Sequence, residues 1–570
     1  MGYNDSELVA SFNDWFAASE SDDRLSEWRR EAAEDFSFYY GGSGQWTSAA
    51  LSKLRAENRS ILTYNYVQSR IRLLCGYQRQ NRLEIRVVGV EGDTDDARAQ
   101  FLGEVLHNLI YLDDHNWTAS RVFQDAAICG LGWLSLYMDY SRDLLGELRT
   151  EDVDPLMIYP DPGVEYPDYR DGEFVIRKKL WSRARADSTY PEFHLRPNGD
   201  GYVELFESQW KERIVEHYAV SREGEAQRFE KKRDALDFAR SQPGMWEVRS
   251  APVPYVRLGV LSNNEVLERS EGNDAFPLPE FSYVPLHCLF LRGNSIGVAR
   301  GLKDPQRVVN KMMSKGLDIV NASPLSGWIV ERGALVDKKQ IKNIGAQANP
   351  VIEVVPNKRF DRIPPPILEP ALVQALQLAQ SAFDDISGIS PIMMGLYDRS
   401  SSGQNTALML GQGQAVTGEI FDNFRLFARS VGRQVIAYVQ KYYTGRRLIR
   451  IVGADAVKLF QINSAPEVVE QATTPEDAVK ILRDVGVGRY DVVVSEAPAS
   501  PTLRQANFGQ LVEMAKATLQ AAPQAAPLVL RMLVENSELQ DKEKWYALLE
   551  QLAGPPPETG GVMPTPMGNG

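Results

Sequence analysis

The feature that most constrains this chain is one long helical run, residues 406–443, in which Val416, Ile420, Phe424, Phe427, Val431, Val435, Tyr438 and Tyr442 fall on one face. At 1.5 Å per residue such a helix is roughly 57 Å long. A chain of 570 residues that holds such a helix is expected to form two to four domains rather than one core. Gly411, Gly413 and Gly418 weaken the first half, each by about 1 kcal/mol against Ala, and predict a kink there. The 570 residues, 43% hydrophobic and 24% charged, supply ordinary globular material for several domains.

Two shorter helices precede the long one and bracket an insert. The first, Val298–Ala322, carries Leu302, Val309, Met312, Met313 and Leu317; the second, residues 369–387, carries Leu372, Leu376, Ala379, Phe383 and Ile386. Between them, residues 324–363 read as strand and loop with a short helix near 338–344, closed by Pro364-Pro365-Pro366. A polar loop, residues 388–404, leads into the long helix.

Upstream, helices are expected at 22–40, 61–80, 95–111 and 118–129, with strands at 83–90 and 133–140. Residues 173–291 read as mainly β, with a hairpin turning at Asn263-Asn264 and one helix, Lys232–Ser241. Downstream come strands at 448–452 and 490–495, helical sequence from 502 to 552, and a Pro/Gly-rich tail, 554–570, expected to be disordered.

The charge balance narrows the function. Lys plus Arg total 63 against 76 Asp plus Glu, a formal charge of −13, which argues against a tight nucleic-acid binder yet suits a wall past which DNA slides. No phosphate-binding Gly-Lys-Ser/Thr loop, Gly-x-Ser-x-Gly elbow or His-Glu-x-x-His motif is present, and no cofactor or metal is expected. Cys75, Cys129 and Cys288 are read as buried reduced thiols, and the five histidines share no ligand spacing. No apolar run is long enough to span a membrane, and the acidic N-terminus does not resemble a signal peptide, so a soluble intracellular product is expected.

Two constellations carry possible chemistry. Asp152, Asp154, Asp161, Asp168 and Asp171 have the residue type of a metal-dependent nuclease, but each sits beside turn formers, which favours a structural role. Lys303, Arg307, Lys311 and Lys315 recur every four residues along one slowly drifting face; such a row suits phosphates, a solvated surface, or salt bridges to a neighbouring subunit.

The stretch Asn-Ser-Ile-Gly-Val-Ala-Arg-Gly-Leu-Lys-Asp-Pro-Gln-Arg-Val-Val-Asn-Lys-Met-Met-Ser, residues 294–314, resembles the start of the stem helix in portal proteins of short-tailed phages. Gln80-Asn81-Arg82, Asp154-Pro155, Ile389-Ser390-Pro391, Met394-Gly395, Ser401-Ser402-Gly403 and Tyr490-Asp491-Val492 follow the same family's order, so the resemblance covers residues 28–552. It implies an α+β, multi-domain portal fold with long stem and wing helices, a mainly β wing and a small α/β clip, assembled as a homo-oligomeric ring of about twelve subunits.

In that frame 1–292 is wing, 293–322 and 369–387 the stem helices, 323–368 the clip, 388–404 a tunnel loop, 405–500 the long helix with returning wing strands, and 501–553 a crown. The resemblance implies a non-enzymatic channel for double-stranded DNA at one capsid vertex of the virion, made in the host cytoplasm, with no membrane involved. Its expected partners are the terminase large subunit, capsid and scaffolding proteins, and tail or adaptor proteins.

Lys303, Arg307, Lys311 and Lys315 become channel candidates, and Asp398, Arg399, Ser400, Ser401, Ser402, Gly403 and Gln404 the mobile tunnel loop. Asp337, Lys338, Lys339 and Lys342 become the terminase contact. A head-completion adaptor and a metal-dependent nuclease remain as alternatives.

Overall fold

A computed structural model describes residues 4–89, 113–141, 143–221, 226–242, 246–270, 276–322, 328–336, 353–363, 369–388, 403–443, 447–452, 457–462 and 490–496, with single or paired positions within 102–109 and 511–534. The chain divides into two compact units, Met1–Arg79 with Leu83–Ser495, and Gln80–Arg82 with Glu496–Gly570. Beyond Glu496 the second is described only at helical positions, among which Ala515 and Val534 are buried.

The helices are α1 (Asp5–Ser21), α2 (Asp23–Tyr40), α3 (Ser48–Ala56), α4 (Tyr66–Gln80), α5 (His115–Cys129), α6 (Arg183–Thr189), α7 (Lys232–Ser241), α8 (Val298–Ala322), α9 (Pro370–Ser387) and α10 (Gly403–Tyr442). Strands are β1 (Leu83–Gly89), β2 (Leu131–Asp139), β3 (Glu147–Val153), β4 (Ile158–Pro160), β5 (Phe174–Ser182), β6 (Tyr202–Ser221), β7 (Ala226–Phe229), β8 (Trp246–Ser262), β9 (Glu265–Arg269) and β10 (Tyr283–His287). Short pairs join Leu289–Leu291 to Asn294–Ile296, Trp328–Val330 to Phe360–Arg362, Arg447–Val452 to Val457–Ile462, and β1 to Tyr490–Glu496. The architecture is α+β with antiparallel sheets.

The largest sheet runs β4-β5-β6-β8-β9, with β7 on the far part of β6, and a second runs β10-β2-β3. Asn263 and Asn264 turn the β8–β9 hairpin at φ 50° and 64°, the left-handed pair that a two-residue turn between right-twisted strands requires. The main core is helical: Ile71 and Leu74 of α4, Val122 and Phe123 of α5, Leu302 and Val309 of α8, Phe383 of α9, and Phe424, Phe427 and Val431 of α10. Trp133, Tyr169, Val175 and Tyr283 build a second core against the sheets.

The sequence holds out no helix before residue 22, yet α1 forms there. Asn4 and Glu7 make a reciprocal capping box, and Leu8 and Phe12 pack on Phe174, Trp210 and Leu261. Val9, Trp15 and Phe16 join the same cluster, so α1 carries an apolar stripe at helical spacing that the reading from sequence passed over. The long helix α10 is helical without interruption across Gly411, Gly413 and Gly418, and its first turn takes in Gly403 and Gln404.

The start of α8 is seated by glycine. A Cβ on Gly297 would stand 2.2 Å from the Ile128 carbonyl oxygen, so only the missing side chain lets the chain enter α8 against the end of α5. Within α8, Pro305 lacks an amide, and the residue four back that its ring would crowd is Gly301.

Candidate functional site

Helix α8 is where the candidate cations lie, and the fold sorts them. On α2, Glu31, Glu34 and Asp35 face α8. Lys303 Nζ lies 2.7 Å from Glu34 Oε2, 2.8 Å from Asp35 Oδ1 and 3.1 Å from Glu31 Oε2, with its side chain only 5% exposed. Arg300 reaches Asp35 at 3.0 Å, and Arg307 bridges Glu34 at 2.6 Å and Asp304 at 2.8 Å while its guanidinium sits 5.0 Å from the Phe38 ring. Burial opposes the charge on Lys303, but its bonds to Asp35 and Glu34 outweigh this and hold the amine above its ordinary value. The hydrogen bond from Lys303 holds Glu31 below the usual carboxylate range.

Lys303, one of the four expected channel cations, is committed to carboxylates of its own chain. Arg307 is likewise paired within the chain, though one third exposed. Lys311 and Lys315 are exposed and, among the described residues, form no ion pair. The row advances by about 40° with each four-residue step, so it turns from the α2 side out into solvent along its length.

A second network lies beside the first. Residues 61–80 read as one helix from sequence, but α4 begins only at Tyr66, and residues 60–65 lie outside any helix and run along α8. Their amides donate to α8 side chains: Ser60 N–H to Asp318 Oδ1 at 2.9 Å, Leu62 to Ser314 Oγ at 3.0 Å, Tyr64 to Asn310 Oδ1 at 3.2 Å and Tyr66 to Gln306 Oε1 at 2.9 Å. Gln306 Nε2 donates to the Tyr64 carbonyl at 2.5 Å, and Asn310 Nδ2 to Gln45 Oε1 at 2.8 Å. Gln306, Asn310 and Ser314 are all buried. The apolar periodicity of residues 61–74 hides this segment, because acceptors some 240 residues away decide its conformation.

Helix α9 packs alongside α8 and is tied to α4 by the Arg70–Asp384 ion pair and by Gln380 Nε2 donating to Tyr66 Oη at 3.1 Å. Val308, Leu317 and Val320 on α8, and Val373, Leu378 and Ile386 on α9, stay exposed, Leu378 at 71%.

The aspartates of the nuclease alternative are spent on local backbone. Asp161 accepts from Gly163 N–H and Glu173 N–H, both at 2.8 Å, Asp171 from Glu165 N–H at 2.7 Å, Asp154 from Leu156 N–H at 2.9 Å, and Asp152 pairs with Arg121 at 2.8 Å. Cys75, Cys129 and Cys288 are buried free thiols, and burial pushes Cys75 and Cys288 up to about 12. His115 and His287 are packed imidazoles that burial lowers to about 4. Asp337, Lys338, Lys339 and Lys342, and residues 398–402 of the expected loop, lie outside the described residues; Gly403 and Gln404 belong to α10.

Helices α8, α9 and α10 contribute to one core in this α+β chain. The model of the phage P22-like portal protein family matches residues 14–566, nearly the whole chain, and the protein belongs to that family. No curated protein matches it.

Proposed function

We propose that the chain assembles into a ring of about twelve copies at one capsid vertex, and that DNA passes through this ring during packaging, retention and ejection. Helices α8 and α9 form the stem, and the exposed Lys311 and Lys315 are the cations of α8 that face passing phosphates. Two such cations on an acidic chain offer sequence-independent contact without a tight grip. Residues 398–402 form the tunnel loop, which leads into Gly403 and Gln404 at the start of α10. Asp337, Lys338, Lys339 and Lys342 meet the terminase large subunit, which supplies the energy, and tail or adaptor proteins later take that face. Capsid and scaffolding proteins contact the wing, and the chain itself performs no catalysis.

The observation that supports this reading is that the matched span includes both bracketing helices, the insert between them and the long helix. The exposed apolar side chains on α8 and α9 add weight, because a helix hairpin that leaves Leu378, Val320 and Ile386 in water fits one that is covered by neighbouring copies. Class-averaged electron micrographs of purified protein test it. A ring with a central hole wide enough for duplex DNA is the expected image; a monomer or a closed assembly overturns the proposal, and a ring whose loss spares packaging but blocks tail joining identifies an adaptor.

A further inference from the structure

We infer that Gln306, Asn310, Ser314 and Asp318 are positioning residues whose acceptor oxygens hold residues 60–65 and the first amide of α4 against α8, and thereby fix the rotation of α8 about its own axis. The geometry makes this a register device. Four residues of helix advance about 6.0 Å, and two residues of extended chain advance about 6.6 Å, so a side chain on every fourth helical position meets every second amide. The two segments run antiparallel: residue 306 pairs with 66, 310 with 64, 314 with 62 and 318 with 60. The helix thus plays the part that a neighbouring strand plays in a sheet.

The consequence is directional. Hydrogen bonds weaken steeply off axis, so turning α8 by even half a residue step loses the ladder, whereas the ion pairs of Lys303 tolerate such a turn. Lys311 and Lys315 each follow a ladder residue in sequence and stand about 100° round the helix from it. Holding Asn310 and Ser314 inward therefore turns both lysines outward. Only the role of these lysines rests on the channel reading; the ladder stands or falls by itself.

Ile61 and Thr63 supply the internal control. In extended chain their amides point away from the edge that faces α8, and among the described residues they make no hydrogen bond. Amide hydrogen exchange resolved to single residues on the assembled full chain is expected to alternate, slow at Leu62, Tyr64 and Tyr66 and fast at Ile61 and Thr63. Ser314→Ala is expected to speed exchange at Leu62 by about tenfold while sparing Tyr66, and Ser314→Thr to restore it. Uniform rates across 60–66, or a Leu62 rate unmoved by Ser314→Ala, overturn the ladder.

Rotation is read separately. The native cysteines are buried, so a spin label can be directed to Lys311→Cys. A single mobile component is expected in the otherwise native chain, a second component once Ser314→Ala and Asp318→Ala are added, and a return to one component with Ser314→Thr and Asp318→Asn, which keep acceptors. Identical spectra throughout overturn the positioning role. If charge reversal at Lys311 and Lys315 leaves DNA retention unchanged while exchange still alternates, the channel role of the lysines fails and the positioning role survives.

Discussion

Helix α8 is held on one side by ion pairs and on the next by directional hydrogen bonds, neutral at Gln306, Asn310 and Ser314 and to a carboxylate at Asp318, and the two networks obey different rules. In the collar, the three cations Arg300, Lys303 and Arg307 meet Glu31, Glu34 and Asp35, and any cation within about 4 Å of any carboxylate gains from it. The contact is strong and tolerant. In the ladder, each acceptor serves one amide of residues 60–66, and a change in register leaves groups unpaired. The contrast teaches that charge can anchor a helix to its neighbour while only directional bonds set its azimuth.

The comparison is most sharply tested by breaking the collar at its centre. Lys303→Met leaves three carboxylates crowded around an apolar side chain and is expected to cost about 3–5 kcal/mol, read by denaturant unfolding. A loss below about 1 kcal/mol would show the collar to be solvated and the contrast false. Next in size, Gln306→Ala removes the bonds of Gln306 to the Tyr66 amide and the Tyr64 carbonyl, leaving only their mutual bond at 3.0 Å, and is expected to cost about 1–2 kcal/mol. That loss should be the same in low and high salt, since the bonds are neutral; a salt-dependent loss would erase the distinction between the networks.

A half-buried carboxyl outside both networks gives the third test. Burial, then the nearby Asp152 and Asp154, push Asp125 of α5 up to about 7 against the pull of Arg121. Its folded value is raised, so the folded state holds the proton, and stability is lost as pH rises from the ordinary carboxylate range through about 7. Asp125→Asn is therefore expected to stabilise by about 2 kcal/mol at pH 8 and by almost nothing at pH 4. Melting curves across that range check it; equal gains at both ends would refute the assignment. The smallest effect belongs to the free end of the cationic row. Lys311→Ala and Lys315→Ala should move stability by no more than about 0.5 kcal/mol, while lowering DNA retention in filled particles; a large destabilisation would mean that these lysines are anchored after all.

Much of the frame was legible in local pattern. The limits of α8 and α7 and the Asn263-Asn264 hairpin follow from apolar spacing and turn chemistry, because neighbours in sequence set them. The candidate site was legible only in part. Lys303, Arg307, Lys311 and Lys315 look equivalent at a spacing of four, and nothing near them in sequence says which is buried. Gln306 and Asn310, read as part of a motif, gave no sign that they replace a strand.

By itself the sequence determined most of the helices and strands, α1 and residues 61–65 excepted, and the family they spell, since both depend on short-range periodicity and ordered motifs. The tertiary structure alone decided which cation is spent and how residues 60–65 run. Those outcomes depend on partners such as Glu34, 269 residues from Lys303, and Gln306, 240 residues from Tyr66. Burial and hydrogen bonding are properties of neighbours in space, and a helix's own repeat cannot encode what will be brought against it.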